Sequence, residues 1–257
     1  MKGFYTLASG SKGNCLYFGT KKTKILVDVG LSLKQIKEKL ECINVSLDSI
    51  DAIFITHEHS DHIKGLEQFV KLYDIPVIAN HETAKAICQI NKIKPKFKIF
   101  CTGEKFQFQD ILAHPFSIQH DTVDPVGFIL ENEKFKLGIC TDLGCTTTSI
   151  VHALKNLDAF IVEANHKEEL VYASSRPEVY KQRVLSKLGH LSNESSAGLI
   201  EQVYHSGLKK IFLAHLSEEC NHPSIAMDTV KNYLFEKGIN IPIEIAYQDS
   251  SSSFFSY

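Results

Sequence analysis

A strand that runs straight into histidines constrains this chain more than any other feature. Asp51-Ala52-Ile53-Phe54-Ile55-Thr56 has the apolar run of a buried strand, and His57-Glu58-His59-Ser60-Asp61-His62 follows without a break. The pattern from Ile63 to Tyr73, with Gly65 near its start, predicts a helix. Side chains on a loop that leaves a buried strand can converge in a cleft. Neutral imidazoles and a carboxylate suit zinc, iron or manganese far better than calcium or magnesium. One ion rarely takes four ligands this close in sequence. Two ions sharing the loop are therefore expected, with His57 and His59 turned to one and Asp61 and His62 to the other. The plain alternative is a solvated, charged turn.

The rest of the chain can support such a loop. Its 257 residues can bury a full core within one two-layered α/β domain. Hydrophobic content of 44% with 23% charged residues is that of a soluble globular protein. A net charge of −2 says nothing about a polyanionic partner, so any nucleic-acid surface must be local. The seven cysteines are odd in number and form no CxxC pair, which argues for reduced thiols over a disulfide framework or a structural zinc site. The N-terminus lacks the apolar core of a signal peptide. No apolar run approaches the roughly 20 residues that span a bilayer. The expectation is a cytoplasmic protein with no membrane partner; oligomeric state is not legible.

Strand-like runs come early, at Phe4–Ala8, Cys15–Phe18 and Lys24–Asp28, with the glycine-rich turn Ser9–Asn14 between the first two. Ser32 can cap a helix to about Leu40, with Leu33, Ile36 and Leu40 at helical spacing. Pro76–Ala79 reads as a short strand, and Asn80 as the cap of a helix through Asn91. Five closely spaced strand candidates follow: Ile99–Phe100, Lys105–Phe108, Ile111–Phe116, Val126–Leu130 and Phe135–Cys140. Helices are then expected at Ser149–Leu154, Pro177–Lys187, Asn193–Tyr204 and about Ser224–Lys237, and strands at Ala159–Glu163, Lys210–Ala214 and Ile243–Ala246. The order β-rich, α, β-rich, α suggests two sheets packed together with helices outside, as one domain.

The chain resembles the metallo-β-lactamase fold superfamily. The hallmark HxHxDH stands here as His57, His59, Asp61 and His62. The family's later metal positions find matches in His120 (Gln119-His120-Asp121), Asp142 (Cys140-Thr141-Asp142-Leu143-Gly144) and His215 (Leu213-Ala214-His215-Leu216-Ser217). Within that superfamily, Leu7–Asn14, Thr56–Leu66, Val162–His166, Gly189–Glu194 and Ala214–Ser217 resemble the bacterial YycJ/WalJ branch, which is linked to 5′-to-3′ DNA exonuclease activity. The chain departs from that branch at Leu143 and around Ser174–Tyr180.

The resemblance implies an α/β (α+β) architecture. The expected form is a four-layer αββα fold, two mixed sheets packed face to face with helices outside, in a single domain over residues 1–257. It also implies two divalent ions (Zn²⁺ or Mn²⁺, with iron as a further option). His57, His59 and His120 would hold the first, Asp61, His62 and His215 the second, and Asp142 would bridge. Two ions roughly 3.5–4 Å apart can share a hydroxide at neutral pH. The implied activity is that of a dinuclear-metal-dependent hydrolase, a phosphodiesterase on nucleic acid with DNA as substrate. The alternative is a small-molecule ester or thioester hydrolase on the same dimetal site.

Gly189-His190-Leu191-Ser192 resembles the His-Ser-Thr motif of ribonuclease Z enzymes, which makes His190 the candidate proton donor to a leaving oxygen and Glu163 its orienting partner; Asp61 is a third catalytic candidate. Both Glu163 and His190 have support of metal ligands as their structural alternative. Substrate candidates are Ser192 and Asn193 at a helix start, Arg183 with Lys187, and the lysine stretch Lys92, Lys94, Lys96 and Lys98. Ser11 and Asn14 either line the site or make a tight turn. His166 has three open roles: ligand support, substrate contact or plain surface. His81, His114, His152, His205 and His222 read as structural or surface residues.

Overall fold

Two runs of buried β-branched and aromatic residues organise the fold, each building one sheet. The computed structural model describes residues 1–91 and 93–257. The chain divides into two compact units. The first comprises residues 1–115, 122–126 and 247–257; the second comprises residues 116–121 and 127–246.

In the first unit, β1 (Gly3–Ala8), β2 (Cys15–Gly19) and β3 (Lys24–Val27) pair antiparallel in turn. Helix α1 (Leu33–Glu41) follows, then β4 (Ala52–Phe54), α2 (Ser60–Ile63), α3 (Leu66–Leu72), β5 (Val77–Asn80), α4 (His81–Asn91) and β6 (Phe97–Phe100). Strands β3 to β6 run parallel, which gives a six-stranded mixed sheet in sequence order. Ser32 caps α1 in a full capping box with Gln35, as its sequence predicts. Asn80 accepts from the Thr83 amide at 2.8 Å and so caps α4. Leu7, Tyr17, Leu26, Ile36, Leu40, Ile53 and Phe69 are among the residues of this unit's core.

Strand β7 (Phe106–Phe108) forms a hairpin with β8 (Ile111–Ser117). After it come β9 (Val126–Asn132), β10 (Phe135–Cys140), α5 (Thr148–Ala153), β11 (Ala159–Glu163), α6 (Glu168–Ala173), α7 (Glu178–Val184), α8 (Asn193–Val203), β12 (Lys210–Ala214), α9 (Pro223–Glu236) and β13 (Ile243–Ile245). The seven-stranded sheet has the order β13-β12-β11-β10-β9-β8-β7, parallel from β10 to β13 and antiparallel at β9–β10. Its core includes Phe160, Val162, Leu199, Ile200, Leu213 and Val230.

Three expectations change. The helix read from Ile63 to Tyr73 is two helices, α2 and α3, broken at Lys64 and Gly65. Two external bonds make the break: the Asp61 carbonyl accepts from Asn14, and the Gly65 amide donates to Val29. A Cβ at Gly65 would sit 2.4 Å from the Leu31 carbonyl oxygen, so only glycine fits there. Helix α7 ends at Val184, three residues short of Lys187, because Gly189 packs against the Arg183 and Val184 carbonyls. Helix α6 has no counterpart in the sequence reading; it has six residues and no side-chain cap.

Candidate functional site

In the first unit the donor loop is set by a carboxylate outside it. Asp28 directly follows β3 and is buried. Its Oδ1 accepts the Thr56 amide at 2.9 Å, and its Oδ2 accepts the Thr56 hydroxyl and the His62 Nδ1–H, each at 2.8 Å. With its proton directed at Asp28, the Thr56 hydroxyl accepts from His57 Nδ1 at 2.9 Å. One carboxylate therefore fixes the tautomer of two imidazoles and leaves Nε2 of each as the nitrogen with a lone pair. The rings of His57 and His62 lie 4.0 Å apart, and those of His57 and His59 4.9 Å apart. His59 occupies the cap position of α2. Glu58, inside the motif, takes no part in this cluster; its Oε1 accepts from the Val123 amide at 3.0 Å.

Asn14 belongs to the same assembly. Its Oδ1 accepts from Gly10 at 2.9 Å, which orients its amino group. That group donates to the Gly10 carbonyl, to Asp61 Oδ2 at 3.2 Å and to His62 Nε2 at 3.0 Å. Asn14 thus both makes the tight turn and positions Asp61. Ser11 is exposed on the same turn.

In the second unit the donors come from scattered strand ends. Glu163 closes β11 and is fully buried. Its Oε1 accepts His190 Nδ1–H at 2.9 Å and His215 Nδ1–H at 3.0 Å. Its Oε2 accepts the Leu143 and Leu191 amides, each at 2.9 Å. Burial alone would raise this carboxyl, but the His190 charge and the bonds from His190 and His215 hold it down at about 2. Both oxygens are engaged within the fold. Glu163 therefore orients His190 and His215 together. His120 donates its Nδ1–H to the Gly189 carbonyl at 3.1 Å. Burial lowers its pKa and favours the neutral ring that a metal ligand requires.

Asp142, Glu163, His190 and His215 bring candidate ligand atoms within 4.8 Å of one another. Oδ1 of Asp142 lies 3.4 Å from His215 Nε2 and 3.7 Å from His120 Nε2; in the first unit, Asp61 Oδ2 lies 3.5 Å from His62 Nε2. These separations are long for hydrogen bonds. They suit atoms sharing an ion, since two ligands at about 2.1 Å and a tetrahedral angle are roughly 3.4 Å apart. The donor sets thus fit transition-metal binding. Asp28, Asp142 and His215 all hold left-handed backbone, with φ of 58°, 56° and 54°. Asp and His are among the non-glycine residues that enter this region more readily than most, and Asn44, Gln109, Glu133 and Asn156 hold it too.

The remaining candidates separate. Ser192 is buried and caps α8 through the Ser195 amide. Asn193 is fully buried, and its amide group exchanges hydrogen bonds with Asn221, so it belongs to the scaffold and not to a substrate surface. Arg183 is paired with Asp121. His166 is 2% exposed, bridges to Ser192 and has no hydrogen-bond partner at Nδ1, so it is not a surface residue. Lys92 lies outside the described residues. Lys96 pairs with Asp74, and Lys98 lies 5.5 Å from the Phe108 ring centre. Sequence reasoning missed Asp28, Thr56 and Asn165; the Asn165 amino group donates to the His215 carbonyl at 2.8 Å.

Among the described residues no helix is long and apolar enough to cross a membrane. The family described as "Beta-lactamase superfamily domain" matches residues 23–215. Exodeoxyribonuclease YycJ of Bacillus anthracis is 38% identical over 241 residues, covering 93% of this chain and 91% of that one. Exodeoxyribonuclease WalJ of Streptococcus pneumoniae is 37% identical over 249 residues, covering 95% and 93%. The fold is that of Zn²⁺-bound PqqB from Methylobacterium extorquens, with a TM-score of 0.72 at 12% identity over 97% of this chain and 99% of that one. A family match through both sheets, and relatives of more than a third identity over nine-tenths of their length, have one meaning: the chain belongs to the metallo-β-lactamase superfamily.

Proposed function

We propose that this chain is a metal-dependent phosphodiesterase that removes nucleotides from a DNA end, in the 5′-to-3′ direction. The single observation that carries the reading is the sharing of Glu163 Oε1 by His215 and His190. One buried carboxylate there orients a candidate metal ligand and a candidate proton donor together. The 37–38% identical relatives, both exodeoxyribonucleases, supply the substrate class.

In this reading His57, His59 and His120 would hold one ion, Asp61, His62 and His215 would hold a second, and Asp142 would serve both. Zn²⁺ or Mn²⁺ suits such a set, with iron next. When bound, the ions supply an activated water and positive charge against the phosphoryl oxygens. The chain's own residues do the rest. Asp28 and Glu163 keep the imidazoles in the tautomer that presents Nε2. His190, its Nδ1 tied to Glu163, delivers a proton from Nε2 to the departing oxygen. Asn14 keeps the Asp61 carboxylate turned to its ligand position. Both units act as one functional domain, since the family match runs through each.

The test is nuclease activity on 5′-labelled and 3′-labelled DNA duplexes, with Mn²⁺ or Zn²⁺ restored after chelation. Metal-dependent release from the 5′ end is expected. Asp142→Asn should lose metal and activity together, and His190→Ala should lose about 10²–10⁴-fold in rate with metal retained. No cleavage of DNA or RNA by metal-loaded protein would sink the nucleic-acid reading and leave a small-molecule ester or thioester hydrolase.

A further inference from the structure

We infer that a groove in the first unit receives the nucleotide next to the phosphate under attack, and that Lys12 and Lys64 hold its phosphate. This rests on the phosphodiesterase reading. The groove has a volume of about 630 Å³, and Ser11, Lys12, Gln35, Lys39, Asp61 and Lys64 are among its lining residues. Asp61, a proposed metal ligand, makes part of one wall. A nucleotide seated there is therefore continuous with a phosphodiester at the metal. The volume falls in the range of roughly 300–1,000 Å³ typical of small-molecule sites, room for about one nucleotide.

The charge fits the same occupant. Three lysines face two carboxylates, Asp61 and Asp249, and Asp61 is committed to metal in the reading above. Lys12 and Lys64 are exposed, on the glycine-rich turn and just past α2. Lys39 plays a different part, since its ammonium donates to the Asp249 carbonyl at 3.1 Å and so closes one end. The walls are fixed before any ligand arrives. Gln248 Oε1 accepts from the Lys12 amide at 2.8 Å, and Gln248 Nε2 donates to the Gly13 carbonyl at 3.0 Å. The Ser9 amide donates to the Tyr247 carbonyl at 3.0 Å. Pre-ordered walls lower the entropy lost on binding. The tail from Tyr247 to Asp249 thus becomes part of a substrate site.

The experiment is steady-state cleavage of a 5′-phosphorylated single-stranded oligodeoxynucleotide by metal-loaded full-length protein, at several salt concentrations. Wild type is compared with Lys12→Glu, Lys64→Glu and the double variant. Lys155→Glu, an equal charge change at an exposed residue that is not among the groove's lining, is the control. The double variant should raise KM at least tenfold while Lys155→Glu raises it less than twofold. Loss of the contact to that one phosphate should also flatten the slope of log(1/KM) against log salt by about 0.7. Deoxynucleoside 5′-monophosphate should inhibit wild type more strongly than inorganic phosphate, and the double variant should lose that preference. Equal KM and salt slope in the groove variants and the control would overturn the groove while leaving the phosphodiesterase reading intact. Failure of wild type to cleave both the oligonucleotide and bis(p-nitrophenyl) phosphate would overturn the reading and the inference together.

Discussion

The two units assemble their donors in opposite ways. In the first, His57, His59, Asp61 and His62 arrive together on the one loop after β4, and the carboxylate that orders two of them, Asp28, comes from another strand. In the second, His120, Asp142, His190 and His215 arrive separately, from the ends of different elements, and Glu163 binds two of them at once. The difference is one of leverage. Loop geometry already restrains the first set, so Asp28 mainly fixes tautomers. Nothing local restrains the second set, so Glu163 must set positions as well.

The largest effect should follow from Glu163→Gln. Glutamine keeps the shape but sets its amino group against donors: either the Leu143 and Leu191 amides or the two imidazole N–H groups lose their acceptor. Removing one partner from a buried charged cluster costs about 3–5 kcal/mol. We expect that loss in chemical denaturation, with activity down at least ~100-fold. A variant as stable and active as wild type would mean that the second donor set holds itself together.

That asymmetry also governs how much could be read from the sequence. The contiguous motif declared its chemistry through residue type and spacing alone. Alternating and buried apolar runs gave most strands and the capped helices α1 and α4. His120, Asp142 and His215 carry no local signal; each is one polar residue near a strand end, visible only through the family pattern. Asp28 was missed because a carboxylate ending a strand looks like any other until its partners across the sheet are known. The break between α2 and α3 was missed for a related reason: it is made by bonds from Asn14 and to Val29, which helical periodicity cannot report.

A second contrast concerns a buried neutral histidine. Burial pushes His166 down to about 4, against the pull of Glu163 in the opposite direction. An unfolded histidine has a pKa near 6.5. Between those values the unfolded chain binds the extra proton, so stability rises with pH there and falls on acidification. The loss from pH 7.5 to 4 should reach about 3 kcal/mol from this group. Denaturant unfolding of chelated protein should therefore show a shallower pH dependence for His166→Asn than for wild type. Parallel curves would show that the imidazole is not held neutral.

The sharpest test of the comparison is the smaller effect expected from Asp28→Asn. The Thr56 amide still has an acceptor in the asparagine oxygen, so the loop should keep its path. What changes is the direction of one proton. The asparagine amino group can accept from neither the Thr56 hydroxyl nor His62 Nδ1–H, so His57 and His62 lose their enforced tautomer. Loss of such a partner typically lowers metal affinity 10–100-fold. We expect that range in competition with a metal-ion chelator, a stability change below that of Glu163→Gln, and recovery of activity at high metal concentration. Excess metal can reselect the Nε2-presenting tautomer when the ring is already in place. It cannot rebuild a donor set whose positions have been lost, so Glu163→Gln should not recover. Equal rescue of both variants would mean that the two carboxylates do the same job, and that the contiguity of the first loop contributes nothing to its order.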